Sequence, residues 1–239
     1  MKLAILTGGS LGLGKELLAL LEHDAWTVLE ISRTGTSKHH ITTDLADPTA
    51  FVDVVQAMRN MASEKPLQEI LFINNAGIVT PIKRVGNATT AELLQSLAVN
   101  VTAPLVLISE FVALFREHAI PKTILNISSG AAVKGYAGWN LYCAGKAAAH
   151  NFFQAMYEEE KLVAHPYRVV NVNPYVMDTE MQAQIRSAEE SEFPSRSRFI
   201  DFKENQQLLA PKTVAEAIHL LIRDHSLKGL AFDVKSVIP

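Results

Sequence analysis

The sequence predicts a doubly wound α/β fold, one domain spanning 1–239 in which helices cover both faces of a parallel sheet. Short β-branched or aliphatic runs alternate with longer helix-period segments along the 239 residues, the pattern of successive right-handed βαβ units. Several short runs, Leu71-Phe72-Ile73 and Ile124-Leu125 among them, are apolar on both faces, as strands must be when helices bury the sheet from either side. A glycine-rich turn joins the first strand directly to the first helix. The length suits one large domain better than two small ones.

The elements follow in order. The first strand, Leu3–Thr7, runs into Gly8-Gly9-Ser10-Leu11-Gly12-Leu13-Gly14, which opens a helix near Gly14–His23. Glycines there permit a tight turn and close backbone approach, and the helix N-terminus offers free N–H groups to an anion such as a pyrophosphate. The spacing is Gly-x-x-x-Gly-x-Gly rather than Gly-x-Gly-x-x-Gly, and a purely structural turn would look the same. The second strand, Thr27–Ser32, ends Glu30-Ile31-Ser32-Arg33. In nucleotide folds an acid at that tip binds the ribose 2′-hydroxyl, whereas an Arg accommodates a 2′-phosphate. Ser32-Arg33, with Lys38 as a second cation, favours NADP(H) over NAD; the alternative is that Arg33 is an exposed loop cation.

Strands at His40–Thr43 and Ile70–Asn74 flank a helix at Pro48–Ser63. A helix at Thr90–His118 carries Asn100, the strand Thr123–Ser128 leads to Ser129, and a helix at Trp139–Val163 carries Tyr142 and Lys146. The strands Arg168–Asn173 and Leu230–Val234 and the helix Thr213–Arg223 complete the alternation. The polar stretch 175–211 interrupts it and is too long for a connector, which marks it as a lid. Tyr142 and Lys146 stand four apart and share a helix face. A phenol keeps its proton until about pH 10; an adjacent ammonium would lower that value and give a proton donor nearer neutrality. Such pairs are common on solvated helices, so the pair alone proves little.

Composition sets bounds. The chain is 48% hydrophobic and 20% charged, with a formal net charge of -3, which leaves no basic footprint for nucleic acid. No apolar run approaches the roughly 20 residues that cross a bilayer, so no membrane partner is expected, nor is a metal. The N-terminus, Met1 to Thr7, meets Gly-Gly at once and reads as a strand, not a signal peptide. One cysteine, Cys143, forbids an internal disulfide and fits a reducing cytoplasm. Helix geometry turns it about 100° from Tyr142, so it reads as packing filler.

Thr7-Gly8-x-x-x-Gly12-x-Gly14, Asn74-Asn75-Ala76-Gly77, Asn100, Ser129 and Tyr142-x-x-x-Lys146 stand in an order that resembles the short-chain dehydrogenase/reductase family over essentially the whole chain. The resemblance implies a Rossmann-like fold with a seven-stranded parallel sheet and transfer of hydride from NADPH to a carbonyl carbon. It gives Tyr142 the role of proton donor to the oxygen. Lys146 would hold Tyr142 at a lowered pKa and bond the nicotinamide ribose, Ser129 would orient the substrate oxygen, and Asn100 would position a water in a proton relay. Cofactor contacts would run through Gly8, Ser10, Leu11, Gly12, Leu13 and Gly14, then Ser32, Arg33, Asp44 and Leu45 (the adenine step, or a turn residue), then Asn74, Ala76 and Gly77. Beyond the sixth strand Pro174, Val176 and Thr179 would follow, with Thr179 on the carboxamide. There the family's usual Pro-Gly is Pro174-Tyr175.

Met177-Asp178-Thr179-Glu180-Met181-Gln182 and Arg198-Phe199-Ile200-Asp201-Phe202-Lys203 are similar to bacterial benzil reductases and, more distantly, to sepiapterin reductases. Tyr136, Trp139, Tyr175 and Met181, with Phe193, Phe199 and Phe202, would overhang the nicotinamide, although half of them could be lid core or a subunit contact. An aromatic wall favours a flat or bulky ketone, which puts an aromatic 1,2-diketone such as benzil, giving (S)-benzoin, ahead of a pterin carbonyl. Asp233 aligns roughly with an acid that grips pterin, or simply satisfies a strand-end turn. A non-catalytic NADP-sensing regulator is the rival class; such proteins usually lack the Tyr or the Lys. The resemblance also implies a homodimer or homotetramer, through the helices carrying Asn100 and Tyr142.

Overall fold

The first strand, β1 (Lys2–Thr7), alternates its side chains between two cores. Leu3 and Ile5 enter one and Ala4 and Leu6 the other, all fully buried. The period of two across a pleated strand produces this split, and β4 (Glu69–Asn74) repeats it with Ile70 and Phe72 on one side and Leu71 and Ile73 on the other. The computed structural model describes residues 1–227 and 229–237; Lys228 and the last two residues of the expected 1–239 unit lie outside them.

Seven parallel strands form one sheet in the order β3-β2-β1-β4-β5-β6-β7. The remaining strands are β2 (Trp26–Ser32), β3 (His40–Thr42), β5 (Lys122–Ile127), β6 (Arg168–Asn173) and β7 (Ala231–Asp233). Helices α1 (Gly12–His23) and α8 (Pro211–Arg223) cover one face. The other is covered by α2 (Phe51–Glu64), α4 (Ala103–Phe115) and α5 (Asn140–Glu160). The chain winds outward from β1 to β3, then returns to place β4 on the far side of β1. At that reversal the loops after β1 and β4 diverge and leave a crevice at the carboxyl ends of the strands.

All seven expected strands form, with ends displaced by a residue or two. The expected helix 90–118 is interrupted. α3 (Thr90–Leu97) opens on a capping box in which Thr89 and Glu92 satisfy each other's backbone N–H. A π-helical turn at Ala98–Thr102 then widens the helix before α4 begins. The run Thr90–Phe115 is long and apolar enough to cross a membrane, more than the sequence reading allowed, because the scattered polar residues do not lower its average enough. Here Leu107, Ile108, Phe111 and Phe115 are buried in the core beneath the sheet. Segment 175–211 is not a plain loop: it folds into α6 (Glu180–Arg186) and α7 (Arg196–Glu204).

Candidate active site

Residues of the glycine turn are fixed by contacts that a side chain would break. Gly8 and Gly12 have φ of 71° and 51°, conformations that glycine adopts without steric cost. A methyl on Gly14 would lie 2.0 Å from the Gly8 carbonyl oxygen. Thr7 Oγ1 accepts from the backbone N–H of Asn75 and Ala76 at 3.1 Å each. Asn75 Nδ2 donates back to the carbonyls of Thr7 and Gly8 at 3.1 and 2.9 Å. Leu11, the cap of α1, offers no side-chain bond to the first turn, so the free N–H groups of the helix start remain available to an anion.

Gly8, Ser10, Leu11, Gly12, Leu13 and Gly14 line one end of a cleft of about 640 Å³. Ser32, Arg33, Asp44 and Leu45 line the same end; Lys38 does not. Ser32 Oγ is buried with no hydrogen-bond partner, beside the exposed Arg33. A buried hydroxyl without a partner among the described residues, next to an exposed guanidinium, fits a phosphate oxygen. Asp44 Oδ1 accepts from Ala46 N–H at 2.9 Å, a turn bond, and the residue also lines the cleft.

At the ends of the central strands one expectation fails. Asn74 does not reach the cleft; Asn75, Ala76, Gly77 and Ile78 do. Residues alternate across a strand, and Asn74 points to the face that α5 covers, where its Nδ2 donates to Asn126 Oδ1 at 2.8 Å. Asn126 Nδ2 donates to Asn171 Oδ1 at 2.8 Å, and Asn171 Nδ2 reaches His150 Nδ1 at 2.8 Å. This row of amides crosses β4, β5 and β6 and ends on α5.

Ser129, Tyr142 and Lys146 all line the cleft. Ser129 caps a short 3₁₀ turn, its Oγ accepting from Ala131 N–H at 3.1 Å. The expected pKa logic of the pair is corrected. Burial pushes the Tyr142 phenol up rather than down, and only the Ser129 hydroxyl draws it back. Lys146 itself is lowered to about 8 by burial, and its Nζ donates to the Ile127 carbonyl at 2.7 Å. Desolvation outweighs the ammonium, which stands 5.9 Å from the phenol ring centre. Tyr142 is therefore protonated at neutral pH, the form a proton donor needs.

The Asn100 side chain does not line the cleft. Its Oδ1 accepts from Ile78 N–H at 3.0 Å and its Nδ2 donates to the Ile78 carbonyl at 2.9 Å. The amide, which also donates to Ser96 Oγ at 3.3 Å, clamps the loop after β4 to the π turn. Gly145 makes the crossing possible, because a methyl there would lie 2.8 Å from Asn100 Cβ.

At the other end of the cleft stand Pro174, Tyr175, Val176, Thr179 and Met181, with Tyr136 and Trp139. Thr179 faces the turn closely, 3.4 Å from where a Gly12 methyl would be, and caps α6. Phe199 and Phe202 line the wall, whereas Phe193 lies beneath it, stacked on Trp139 at 4.8 Å between ring centres. Tyr175 takes the left-handed φ of 64° where glycine would be at ease, and the Lys235 ammonium sits 3.6 Å over its ring. Asp233 is occupied by Asn173 Nδ2 and Lys235 N–H and does not line the cleft, which favours its reading as a turn residue. Cys143 is half-buried against the Lys134 carbonyl. Sequence reasoning missed Gln95, Gln182, Gln184 and Arg198, which also line the cleft. Gln182 and Arg198 lie in the two segments that carry the likeness to benzil reductases and could have been found there; nothing in the sequence marks Gln95 or Gln184.

The family described as short chain dehydrogenase matches residues 2–190. Benzil reductase ((S)-benzoin forming) of Bacillus subtilis (strain 168) is 34% identical over 100% of both chains. Sepiapterin reductase of Bos taurus is 29% identical over 95% of this chain and 91% of that protein. Among solved structures, that of the KRED1-Pglu enzyme superposes with a TM-score of 0.81 at 25% identity, covering 97% of this chain and 100% of the other.

Proposed function

This chain belongs to the short chain dehydrogenase family and is an oxidoreductase acting on CH–OH/C=O, and from that premise we propose that it is an NADPH-dependent carbonyl reductase acting on an aromatic 1,2-diketone such as benzil. One observation carries the reading: a single cleft joins the anion-binding turn, the Ser129–Tyr142–Lys146 group and an aromatic wall. A bound reduced nicotinamide supplies the hydride that goes to the carbonyl carbon. Tyr142 gives its proton to the carbonyl oxygen, and the product is the secondary alcohol. Ser129 holds that oxygen, and Lys146 keeps a positive charge beside it as negative charge develops. Ser32 and Arg33 support NADPH over NADH. Thr179, Pro174 and Val176 would receive the nicotinamide end, and α6 with α7 would act as a lid over 175–211.

Trp139, Tyr136, Tyr175, Met181, Phe199 and Phe202 support a planar substrate, and the identity to benzil reductases favours the diketone over a pterin carbonyl. The lone Cys143 supports a reducing, cytoplasmic setting. Exposed Leu94, Leu97 and Val106 support a homodimer or homotetramer formed through α3, α4 and α5, which light scattering would test. For the activity, NADPH consumption with benzil and with sepiapterin is measured side by side, and again with NADH. Faster turnover of benzil with NADPH is expected; faster turnover of sepiapterin would reverse the substrate order, and no turnover of any ketone would overturn the reading.

A further inference from the structure

Glu30 lies on β2 two residues before the Ser32–Arg33 tip, and its side chain has no exposed surface. A buried carboxylate is costly unless its oxygens are engaged, and both of these are. Oε1 accepts from Gly9 N–H at 2.9 Å. Oε2 meets Nδ1 of His40, the register partner of Glu30 on β3, and His40 Nε2 reaches Thr42 Oγ1 at 3.1 Å. Two glycines close over the carboxylate. A methyl on Gly9 would lie 2.5 Å from Glu30 Cγ; one on Gly35 would lie 1.8 Å from Oε2 and 2.5 Å from His40 Nδ1. Neither Glu30 nor His40 lines the cleft, yet Gly9 belongs to the phosphate turn and Gly35 follows Arg33 and Thr34, which do line it.

We propose that Glu30 and His40 are positioning residues for nucleotide selection. Glu30 holds the phosphate turn through Gly9, and the Glu30–His40 pair forms the floor on which the loop after β2 rests, so that Ser32 and Arg33 meet a 2′-phosphate. This rests on the NADPH reading above. The two roles separate by residue. Loss of the His40 donor leaves Gly9 bonded but leaves one Glu30 oxygen buried without its partner, so the loop that closes over it at Gly35 shifts and Ser32 and Arg33 lose their register on a 2′-phosphate. Loss of Glu30 releases the turn and the loop together.

The test is the dissociation constant of NADPH and of NADH, each followed by nucleotide fluorescence, with thermal melting to verify folding. His40→Leu is expected to weaken NADPH about tenfold and NADH less than about twofold. His40→Asn, whose amide nitrogen stands where Nδ1 stood, restores NADPH binding to within about threefold of wild type. Glu30→Ala weakens both nucleotides, each by at least about tenfold. Should His40→Leu fail to fold, His40→Ala is measured with the same expectations. A folded His40 variant that keeps its preference for NADPH, or loses both nucleotides alike, overturns the proposal, as does Glu30→Ala with wild-type binding. Wild-type protein without preference overturns the cofactor reading, and the proposal with it; preference in wild type that survives at His40 overturns the proposal alone.

Discussion

The two ends of the cleft are built by different means. At the nucleotide end the backbone does the holding: glycine turns at Gly8 and Gly12, Asn75 and Thr7 lacing the strand ends together, and helix N–H groups facing the space. Its buried hydroxyl without a partner among the described residues, Ser32 Oγ, lines the end where a phosphate would sit. At the substrate end side chains do the holding. Trp139, Tyr142, Phe193 and Phe199 form a separate aromatic cluster, and Trp139 Nε1 and Gln182 Oε1 are buried there without partners. Backbone-built recognition tolerates few sequences and reads a part common to many ligands. A wall of stacked rings can be recut without disturbing it, so one fold can serve different carbonyl compounds.

The sharpest way to break this contrast is at the residue between the ends. Tyr142→Phe should lower carbonyl reduction by about a thousandfold, while titration with NADPH gives a dissociation constant close to wild type; comparable loss of both would mean the ends are not separable. Phe193→Ala removes a fully buried ring from the aromatic cluster and should cost about 3 kcal/mol in a denaturant melt. It should raise KM for the ketone and leave nucleotide affinity alone. Gly14→Ala is the mirror experiment. Its methyl collides with the Gly8 carbonyl, at a cost of about 2 kcal/mol, and calorimetry should find nucleotide binding weakened with the lid aromatics unmoved in near-UV dichroism.

Smaller effects sharpen the picture. Because burial lowers Lys146 to about 8, the ammonium is lost as pH rises through that value, and kcat/KM for reduction should fall above about pH 8. Lys146→Arg, which stays charged, should remove that limb if it still turns over. Tyr175→Gly relieves a left-handed backbone and forfeits a ring under Lys235, so stability should change by less than about 1 kcal/mol. KM should rise for a bulky diaryl ketone and not for a small methyl ketone; unaltered constants for every substrate would remove Tyr175 from the wall.

What the sequence made legible follows the same divide. Runs such as Leu71-Phe72-Ile73 announce doubly buried strands, and the spacing from Thr7 to Gly14 announces the turn, because both are local in the chain. The exchange of Asn74 for Asn75 at the cleft was not legible, since a one-residue step along a strand reverses the face and nothing local says which face is inward. Nor was the direction of the Tyr142 shift, because burial is set by Trp139 and by distant lid residues rather than by the four-residue spacing to Lys146. The break at Ala98–Thr102 depends on Asn100 finding Ile78, a partner 22 positions away.

The amide row from Asn74 through Asn126 and Asn171 to His150 limits how the molecule can be re-engineered. Each amide is hydrogen-bonded to the next and the last meets His150 Nδ1, so the ring orientation of one helix residue is tied to side chains on three strands. Replacing a single rung by leucine would strand an acceptor on one neighbour and a donor on the other, at about 1–3 kcal/mol apiece. A library aimed at new ketones should therefore vary Met181, Gln184, Arg198 and Phe202, which line the cleft, and leave the four positions of the row untouched, or change them only as a set.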